Sequence, residues 1–430
     1  MMEVVLVILF VLLALLGLRL FVVIGGLAFL LYLMADIGEI EGVVNEMYTL
    51  ATSPVLLTIP LYTLAGYLMA ESKAPTRLIA LSKALLSWLP GGVAVVALIS
   101  CAFFTAFTGA SGVTIIALGG LLYPVLLGER YSEKFSLGLL TTSGSLGLLF
   151  PPSLAIILYG LIAEVSITQL FVAGIIPGAL LIALLTLYSV LRGTRGARRP
   201  KEPLARITAQ QIKKALWDAR FEIPIPFVVL VGIYGGFFSV TDSAPMVALY
   251  VVIVEVFVYR DISLKRLPGV VQDAMVLVGG IFIIICCAKA LTYYFVDQEI
   301  PQRLLEWMQA VIGSKFTFLV VLNIFLLIVG CLMDIFSAIL VVVPLIVPIA
   351  LGFGVDPLHL GIIFLVNLEM GYSTPPIGLN LFISSYRFKK PVIELYRASL
   401  PFLAILLVAL LLITYWPALS TFPVNYLQVE

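Results

Sequence analysis

Charged residues are scarce in this chain of 430 residues: Asp, Glu, Lys and Arg make up 11% of it, whereas hydrophobic residues make up 62%. A soluble globular domain carries about 25% charged residues, so this composition excludes a soluble class. Apolar runs recur throughout, and many approach the ~20 residues that a helix needs to cross the bilayer core. We therefore predict an all-α polytopic membrane protein. The apolar start MMEVVLVILF lacks the basic residues of a signal peptide and is interpreted as a first membrane helix.

Cysteine and histidine are rarer still. The four cysteines all lie in apolar stretches, which suits neither a disulfide framework nor a zinc site (Cys101, Cys286, Cys287 and Cys331). The single histidine, His359, follows Asp356 and Pro357 at the start of a predicted helix, where an interfacial role is favoured over a proton relay. The chain has no HExxH motif and no evident serine partner for His359, so we do not predict an enzyme. A net charge of +1 gives no indication of nucleic-acid binding.

The prolines show that the chain is an internal repeat. When the sequence is shifted by 224 residues, every proline between positions 105 and 180 falls on another proline (Pro124 on Pro348, Pro151 on Pro375, Pro152 on Pro376 and Pro177 on Pro401). Gly147 likewise falls on Gly371, and a shift of 226 residues pairs Arg77 with Arg303. Proline is about 5% of an average sequence, so this coincidence indicates two related halves, roughly 50–190 and 275–420.

Positive charge gives each half its orientation. The segment 192–220 carries nine Lys or Arg residues and is predicted to be cytoplasmic. The loop 128–134 is charged, but its repeat partner 352–357 has no Lys or Arg. Conversely, the loop 163–169 has no basic residue, whereas its partner 387–393 has three. Because the basic loops change sides between the halves, we predict an inverted-topology repeat.

Each half also contains an apolar segment that is broken in the middle. Val93–Phe107 and Val113–Leu127 flank the polar tip TGASG, and Phe316–Gly330 and Ala338–Leu351 flank CLMDIFS. An arm of ~15 residues is about 22 Å long as a helix, which is too short to span. We therefore predict two re-entrant helical hairpins, the first entering from the cytoplasm and the second from outside.

Two further pairs of segments are related by the repeat. Double prolines interrupt the predicted helices 135–163 and 359–385, in the stretches SGSLGLLFPPS and GYSTPPIGLN. Amphipathic segments at 72–89 and 299–313 precede the hairpins and suit helices that lie along the membrane surface. Between the halves, two helices at about 223–236 and 245–259 are predicted to join at an outer turn, GGFFSVTDSAP.

Oxygen-bearing residues cluster at these four breaks. Unwound backbone at membrane depth is tolerated where it is buried or lines a cavity, and its free carbonyls can coordinate Na⁺. Asp334, at the second hairpin tip, is interpreted as an ion or substrate ligand, or as a cap of the following helix. Lys289 is interpreted as facing an anionic substrate or as reaching the membrane interface, and the second is favoured. The role of Glu369 is left open.

These stretches resemble the large membrane subunit, DctM-like, of tripartite ATP-independent periplasmic (TRAP) transporters. The resemblance covers nearly the whole chain and rests on TGASGVTIIALGGLLYP, GSLGLLFPPSLAIILYG, CLMDIFSAILVVVPLIVP, GVDPLHLGII and TPPIGLNLFISS. It implies a sodium-coupled importer with an elevator mechanism in the inner membrane of a prokaryote. It also implies a separate small, DctQ-like membrane subunit and a periplasmic, DctP-like binding protein that delivers an organic acid, commonly a carboxylate.

The resemblance also implies particular ligands. The first sodium site would use residues of the first tip and break (Thr108, Gly109, Ser111, Gly112, Ser143 and Gly147). The second would use the corresponding residues of the other half (Gly330, Asp334, Ser337, Gly371 and Thr374). Substrate would contact four residues (Ser111, Ser153, Asp334 and Asn380). Ala110 stands where the family commonly has a small hydroxyl residue, which leaves the ligands of the first tip open.

The expected division of the chain follows from these elements. Scaffold helices are expected at 1–70 and 169–296, a single C-terminal scaffold helix at 387–430, and amphipathic arm helices at 71–92 and 297–315. The transport domain is expected to comprise 93–168, with its hairpin at 93–127, and 316–386, with its hairpin at 316–351. Two alternatives remain: a stand-alone sodium–carboxylate symporter of the wider ion-transporter superfamily, and a passive channel, which the symmetric breaks disfavour.

Overall fold

The computed structural model describes residues 20–34, 52–86, 91–196 and 208–427, with a few isolated positions before residue 50. Every regular element in this part of the chain is a helix. Eight helices are long and apolar enough to cross a membrane, and a bent pair, Glu133–Leu149 with Leu154–Ala163, raises the number to nine. The prediction of an all-α polytopic protein is therefore confirmed, whereas the predicted first helix at MMEVVLVILF lies largely outside the described residues.

The first half begins with helices that precede the first hairpin: α1 (Leu20–Met34), α2 (Thr58–Glu71) and α3 (Ala74–Leu86). The hairpin and the broken double-proline helix follow: α4 (Gly92–Thr108), α5 (Ser111–Gly128), α6 (Glu133–Ser143) and α7 (Leu154–Ala163). Four helices connect the halves: α8 (Ile167–Gly196), α9 (Ala209–Asp218), α10 (Pro224–Tyr234) and α11 (Val240–Val258). Of the basic stretch 192–220, residues 197–207 lie outside the described residues.

The second half repeats this order. It opens with α12 (Leu267–Asp297) and α13 (Ile300–Val311). The hairpin and the broken helix follow: α14 (Lys315–Leu332), α15 (Ile335–Gly352), α16 (Pro357–Gly371) and α17 (Leu379–Phe388). It ends with α18 (Val392–Tyr415) and α19 (Ala418–Leu427). A single C-terminal helix was expected, but Pro417 lies between these two, and the residue before a proline is disfavoured in the α conformation.

The hairpin arms are longer than the sequence predicts. Helix α4 has 17 residues, and α5, α14 and α15 have 18 each. Capping explains the difference in the second hairpin, because Ser314 caps the start of α14 and Asp334 caps α15 from Ile335 onwards. At 1.5 Å per residue, 18 residues reach about 27 Å. The argument that these arms are too short to span is therefore wrong, and length alone does not distinguish a re-entrant arm from a crossing.

A capping box places the start of α11 earlier than the sequence predicted. Helix α11 begins at Val240 rather than near residue 245, because the Ser239 hydroxyl accepts from the backbone N–H of Asp242 at 3.1 Å. The Asp242 carboxylate in turn accepts from the backbone N–H of Ser239 at 3.1 Å. Pro245 lies inside the resulting helix.

Arg77 of α3 lies at the centre of a buried ionic cluster. Its Nη1 donates to Asp261 at 2.5 Å, its Nη2 to Glu255 at 3.0 Å, and its Nε to Glu222. The guanidinium also lies 3.9 Å from the ring centroid of Tyr259. Glu222 precedes α10, Glu255 belongs to α11, and Tyr259 and Asp261 follow α11. The side chain of Arg77 therefore attaches α3, the first amphipathic helix, to the connecting helices.

His359 is buried within the protein, and its predicted interfacial role stays a prediction. Its Nδ1 lies 2.7 Å from the hydroxyl of Ser420 in α19, and its Nε2 lies 3.3 Å from the carbonyl of Thr414 in α18. The imidazole therefore joins α16 to the two C-terminal helices.

The amino group of Lys289 lies 4.0 Å from the carboxylate of Glu164. The Lys289 side chain is partly exposed and that of Glu164 is exposed. The role of Lys289 stays a prediction.

Candidate functional site

The first hairpin tip lies against the first double-proline break. Gly109 ends α4 with φ of +63°, a left-handed conformation that glycine adopts without strain, and Ser111 starts α5. The hydroxyl of Thr105 donates to the carbonyl of Gly144 at 2.8 Å and lies 2.7 Å from the hydroxyl of Thr114. Both arms of the hairpin are thus tied to the end of α6.

Glycine allows close backbone approach at this break. A Cβ added at Gly147 would lie 2.5 Å from the backbone nitrogen of Ala106 in α4, closer than real Cβ contacts. The hydroxyl of Ser143, at the end of α6, donates to the carbonyl of Leu140 at 3.5 Å. Helix α7 then restarts at Ser153, whose hydroxyl accepts from the N–H of Ile156 at 3.5 Å. Both serines are fully buried.

The second half reproduces this arrangement with the repeat partners of those residues. A Cβ added at Gly371 would lie 2.6 Å from the carbonyl carbon of Gly330 in α14. Gly330 and Gly371 occupy the positions that Ala106 and Gly147 hold in the first half, after the shift of 224 residues. The break is closed by Gly378, whose N–H donates to the carbonyl of Cys331 at 3.0 Å. The hydroxyl of Thr374 donates to Met370.

Asp334 acts as the N-cap of α15. One carboxylate oxygen accepts from the backbone N–H of Phe336 at 3.0 Å and of Ser337 at 3.1 Å, and the other accepts from the hydroxyl of Ser337. Of the two roles considered from the sequence, the capping role is therefore present in the structure. The side chain is exposed rather than buried. The remaining N–H of this turn, that of Ile335, donates to the phenol oxygen of Tyr372.

Asn380 connects the two breaks. Its side-chain amide donates to the carbonyl of Thr141 at 3.3 Å and to the hydroxyl of Ser145 at 3.5 Å. Thr141 also donates to Ser384 of α17 at 3.0 Å. A Cβ added at Gly112 in the first tip would lie 2.5 Å from the side chain of Ile383, so α17 also touches the first hairpin.

The predicted site residues therefore fall into two groups. One group surrounds the first tip and break, and the other surrounds the second (Thr108, Gly109, Ser111, Gly112, Ser143 and Gly147; Gly330, Asp334, Ser337, Gly371 and Thr374). Among the substrate candidates, Ser153 and Asn380 are buried, whereas Asp334 is exposed and hydrogen-bonds within its own helix. Glu369, whose role the sequence left open, is 1% exposed, and neither carboxylate oxygen has a hydrogen-bond partner in the described part of the chain.

Sequence reasoning missed two residues of this site. Thr105 was not singled out, although its hydroxyl links both hairpin arms to Gly144. Tyr372 was not singled out either, although it lies in the quoted stretch GYSTPPIGLN and accepts from the N–H of Ile335. A polar side chain directly beside a helix break is the signal that could have identified Tyr372.

Known proteins resemble this chain in sequence and in fold. A sequence model of the family "Tripartite ATP-independent periplasmic transporter, DctM component" matches residues 6–419. The chain is 35% identical over 408 residues to the C4-dicarboxylate TRAP transporter large permease protein DctM of Pseudomonas aeruginosa, covering 94% of each chain. It is 29% identical over 395 residues to the ectoine TRAP transporter large permease protein TeaC of Halomonas elongata, covering 91% of each.

A solved structure supports the fold independently. The YdaH transporter of Alcanivorax borkumensis aligns with a TM-score of 0.65 over 96% of this chain and 98% of that chain, at 16% identity. Relatives of this kind are named as permeases, which points to a transporter rather than an enzyme. With its eight or more apolar helices, the protein is a multi-pass component of a prokaryotic inner membrane. The chain belongs to the DctM component family of tripartite ATP-independent periplasmic transporters and is a large permease subunit.

Proposed function

We propose that this large permease subunit couples Na⁺ entry to the import of an organic acid. The observation that carries the proposal is the twofold-repeated break, in which a hairpin tip approaches a double-proline loop in each half. Many coupled transporters bind substrate and ion where helices are interrupted near the membrane midplane. Each half of this chain contains one helix that a double proline interrupts, and we propose that these interruptions serve the same purpose.

The residues at the breaks fit a hard monovalent cation. Buried hydroxyls and helix-end carbonyls are oxygen ligands, which alkali cations favour over nitrogen or sulfur. Within the described residues no group of three or more His, Cys, Asp or Glu side chains is arranged to hold a metal ion. The first Na⁺ would be held by the tip at Ser111 and the break at Ser143 and Gly147. The second would be held near Asp334, Gly371 and Thr374.

The substrate candidates suit a carboxylate. Ser111 is the first residue of α5, Ser153 and Asp334 precede α7 and α15 as N-caps, and Asn380 is the second residue of α17. Helix N-termini present the positive end of the helix dipole, which attracts anions. At α15 the first three N–H groups already donate to Asp334 and Tyr372, so there the dipole alone would act on the substrate. Asp334 itself carries negative charge, so a cation beside it would reduce its repulsion of an anionic substrate.

The same arrangement favours an elevator mechanism. We propose that the hairpins are re-entrant and that α4–α7 and α14–α17 form one transport domain. This domain would move against the scaffold helices α1, α2, α8 to α12, α18 and α19. Helices α3 and α13 would be the arms that frame this domain. The glycine contacts within each half and the bonds of Asn380 between halves support movement as one body.

Partner proteins follow from the family. We propose that a separate small membrane subunit contacts the scaffold and that a periplasmic binding protein delivers the substrate. The relatives are named for C4-dicarboxylates and ectoine, so the family name alone does not fix the cargo. An organic acid with at least one carboxylate agrees with the helix N-termini described above.

Reconstitution tests this function directly. The chain is placed in liposomes with its proposed small membrane subunit, and uptake is measured with and without the matching binding protein and an inward Na⁺ gradient. We expect uptake only when both are present, and no uptake when K⁺ replaces Na⁺. Uptake on a Na⁺ gradient without any binding protein would instead support the stand-alone symporter, and uptake that ignores Na⁺ would refute the coupling.

A further inference from the structure

A cavity of about 400 Å³ lies between α6, α8 and α18, away from the hairpin tips. Three cationic side chains line it: Lys134 of α6, Arg192 of α8 and Arg397 of α18. Arg192 begins the basic stretch that the positive-inside rule places in the cytoplasm. The cavity is therefore expected to open at the cytoplasmic face of the membrane.

None of these three cations forms an ion pair with a carboxylate of the residues that the structure describes. In the described ranges, no Asp or Glu oxygen lies within the 4.0 Å ion-pair distance of any of them. The nearest acid in sequence, Glu133, is already bound to Lys390 at 2.7 Å and accepts from the hydroxyl of Tyr123 at 2.9 Å. Three like charges around one cavity repel one another, and a bound anion removes that repulsion.

Aromatic rings form the apolar part of the same cavity. The ring centroid of Phe135 lies 5.3 Å from that of Tyr131, 6.3 Å from Tyr188 and 5.4 Å from Phe402. Tyr188 and Phe402 also meet edge to face at 5.2 Å. The cavity is thus amphipathic, because it combines a cationic rim with an aromatic wall.

The surface beside the cavity is apolar and exposed. On α8, Leu187 and Leu191 are 55% and 58% exposed and lie one residue before the cavity-lining Tyr188 and Arg192. On α18, Leu400 is 44% exposed beside the cavity-lining Pro401. In a membrane protein such leucines face acyl chains. A ligand with a phosphate and acyl chains fits this setting better than a free anion.

We propose that this cavity binds the headgroup of an anionic phospholipid from the cytoplasmic leaflet. The phosphodiester would lie among Lys134, Arg192 and Arg397, the glycerol against the aromatic wall, and the acyl chains over the leucines of α8 and α18. Basic pockets between membrane helices on the cytoplasmic side are a recurring form of lipid recognition. This site is independent of sodium coupling and of the substrate.

Lipid titration tests the proposal. The full-length protein is placed in phosphatidylcholine nanodiscs, phosphatidylglycerol is added stepwise, and binding is read from thermal stability and from native mass spectrometry. We expect phosphatidylglycerol to raise the melting temperature, because a ligand of the native state stabilises it by mass action. Replacing all three cations (Lys134→Gln, Arg192→Gln and Arg397→Gln) should weaken binding roughly a hundredfold, about fivefold for each charge.

A matched control removes the same charge from elsewhere on that face. Lys213→Gln, Lys214→Gln and Lys265→Gln change three exposed lysines that do not line the cavity, so phosphatidylglycerol binding should stay within about twofold of wild type, since surface charges far from a site are screened. If the triple cavity variant does not fold, the single Arg397→Gln variant should still lose about fivefold. Unchanged affinity in the cavity variants would overturn the proposal.

Two soluble anions test whether the cavity binds a lipid headgroup or a free anion. Inorganic phosphate and succinate are titrated into the same phosphatidylcholine nanodiscs. We expect neither to raise the melting temperature at concentrations at which phosphatidylglycerol saturates. A shift with phosphate equal to that with phosphatidylglycerol would overturn lipid recognition in favour of a free-phosphate site. A shift with succinate alone would assign the cavity to the cargo path.

Discussion

The hydroxyl of Ser145 donates to the backbone carbonyl of Glu369 at 3.5 Å, and these two residues are separated by 224 residues, the spacing of the internal repeat. Each residue therefore contacts its own repeat partner. Such a contact occurs only where two related halves meet near their symmetry axis. The two double-proline breaks are thus neighbours in space, and Asn380 joins them with two further hydrogen bonds.

Substitutions of Asp334 test the proposed second sodium site directly. Asp334→Ala should abolish Na⁺-driven uptake and also lower stability by about 1 kcal/mol, because the N-cap of α15 is lost. Asp334→Asn should abolish uptake at nearly unchanged stability, since asparagine caps helices as well as aspartate but carries no charge. Uptake and melting temperature are measured on the same reconstituted samples.

Asp356, the N-cap of α16, provides the control for the two Asp334 variants. Asp356 caps α16 by accepting from the N–H of Leu358 at 2.7 Å. Asp356→Asn should leave both uptake and stability close to wild type. Wild-type uptake by Asp334→Asn would reduce Asp334 to a structural cap.

The close approach of α14 and α16 makes Gly371 intolerant of a side chain. Gly371→Ala places a Cβ 2.6 Å from the carbonyl carbon of Gly330, and overpacking of this kind costs about 1–3 kcal/mol. We expect a lower melting temperature and a loss of transport. Gly279→Ala in α12, where nothing lies within 4 Å of the new Cβ, should be neutral or stabilising by up to about 1 kcal/mol. Equal behaviour of the two variants would show that the glycine contact is not tight.

Sodium should stabilise the folded protein. A ligand that binds only the native state adds about 2.7 kcal/mol when its concentration is one hundred times its dissociation constant. We expect the melting temperature in detergent to rise with NaCl and to rise less with KCl at equal ionic strength. The same rise with both salts would count against selective ion sites.

Arg77 should contribute strongly to stability because three carboxylates depend on it. Arg77→Gln leaves Glu222, Glu255 and Asp261 near one another without their shared cation, and breaking a buried ion pair in this way costs about 3–5 kcal/mol. Chemical or thermal unfolding in detergent measures the loss. Arg303→Gln, at the repeat position, should change stability by less than about 0.5 kcal/mol, as is usual for surface substitutions.

The pH dependence of the Arg77→Gln variant has a defined sign. Burial raises the pKa of the Glu222 carboxyl above its ordinary value, and Arg77 opposes this rise. Without Arg77, the pKa of Glu222 rises further, so as the pH rises the folded state keeps this proton longer than the unfolded state does. Stability is then greatest below the ordinary glutamate pKa and falls as the pH rises. The variant should regain stability on acidification more steeply than wild type, and parallel pH profiles would contradict this.

The sequence was informative where chemistry is local. Proline and glycine positions predicted the repeat and the helix breaks, because these residues act on the backbone directly. The clustering of hydroxyls at the breaks also predicted the regions in which Thr114, Ser143 and Ser153 lie. Each of these inferences needed only the residue type and its spacing along the chain.

The sequence did not predict features that depend on contacts between helices far apart along the chain. Thr105 reaches Gly144 across 39 residues, and Tyr372 reaches Ile335 across 37, and such partners are set by how helices pack. The partners of His359 were also missed, because nothing in its sequence neighbourhood indicated that Thr414 and Ser420 would contact it. The hairpin arms were underestimated because their length depends on caps at Ser314 and Asp334 rather than on apolar runs alone.

The ionic cluster at Arg77 makes a symmetric architecture mechanically unequal. Helix α3 is held to α10 and α11 by a buried guanidinium, whereas Arg303, its counterpart on α13, makes no ion pair with any residue that the structure describes. Helix α3 therefore has an ionic attachment to the connecting helices that α13 does not have among the described residues. If the hairpins move as we propose, we expect the arm helix without this attachment, α13, to be displaced first.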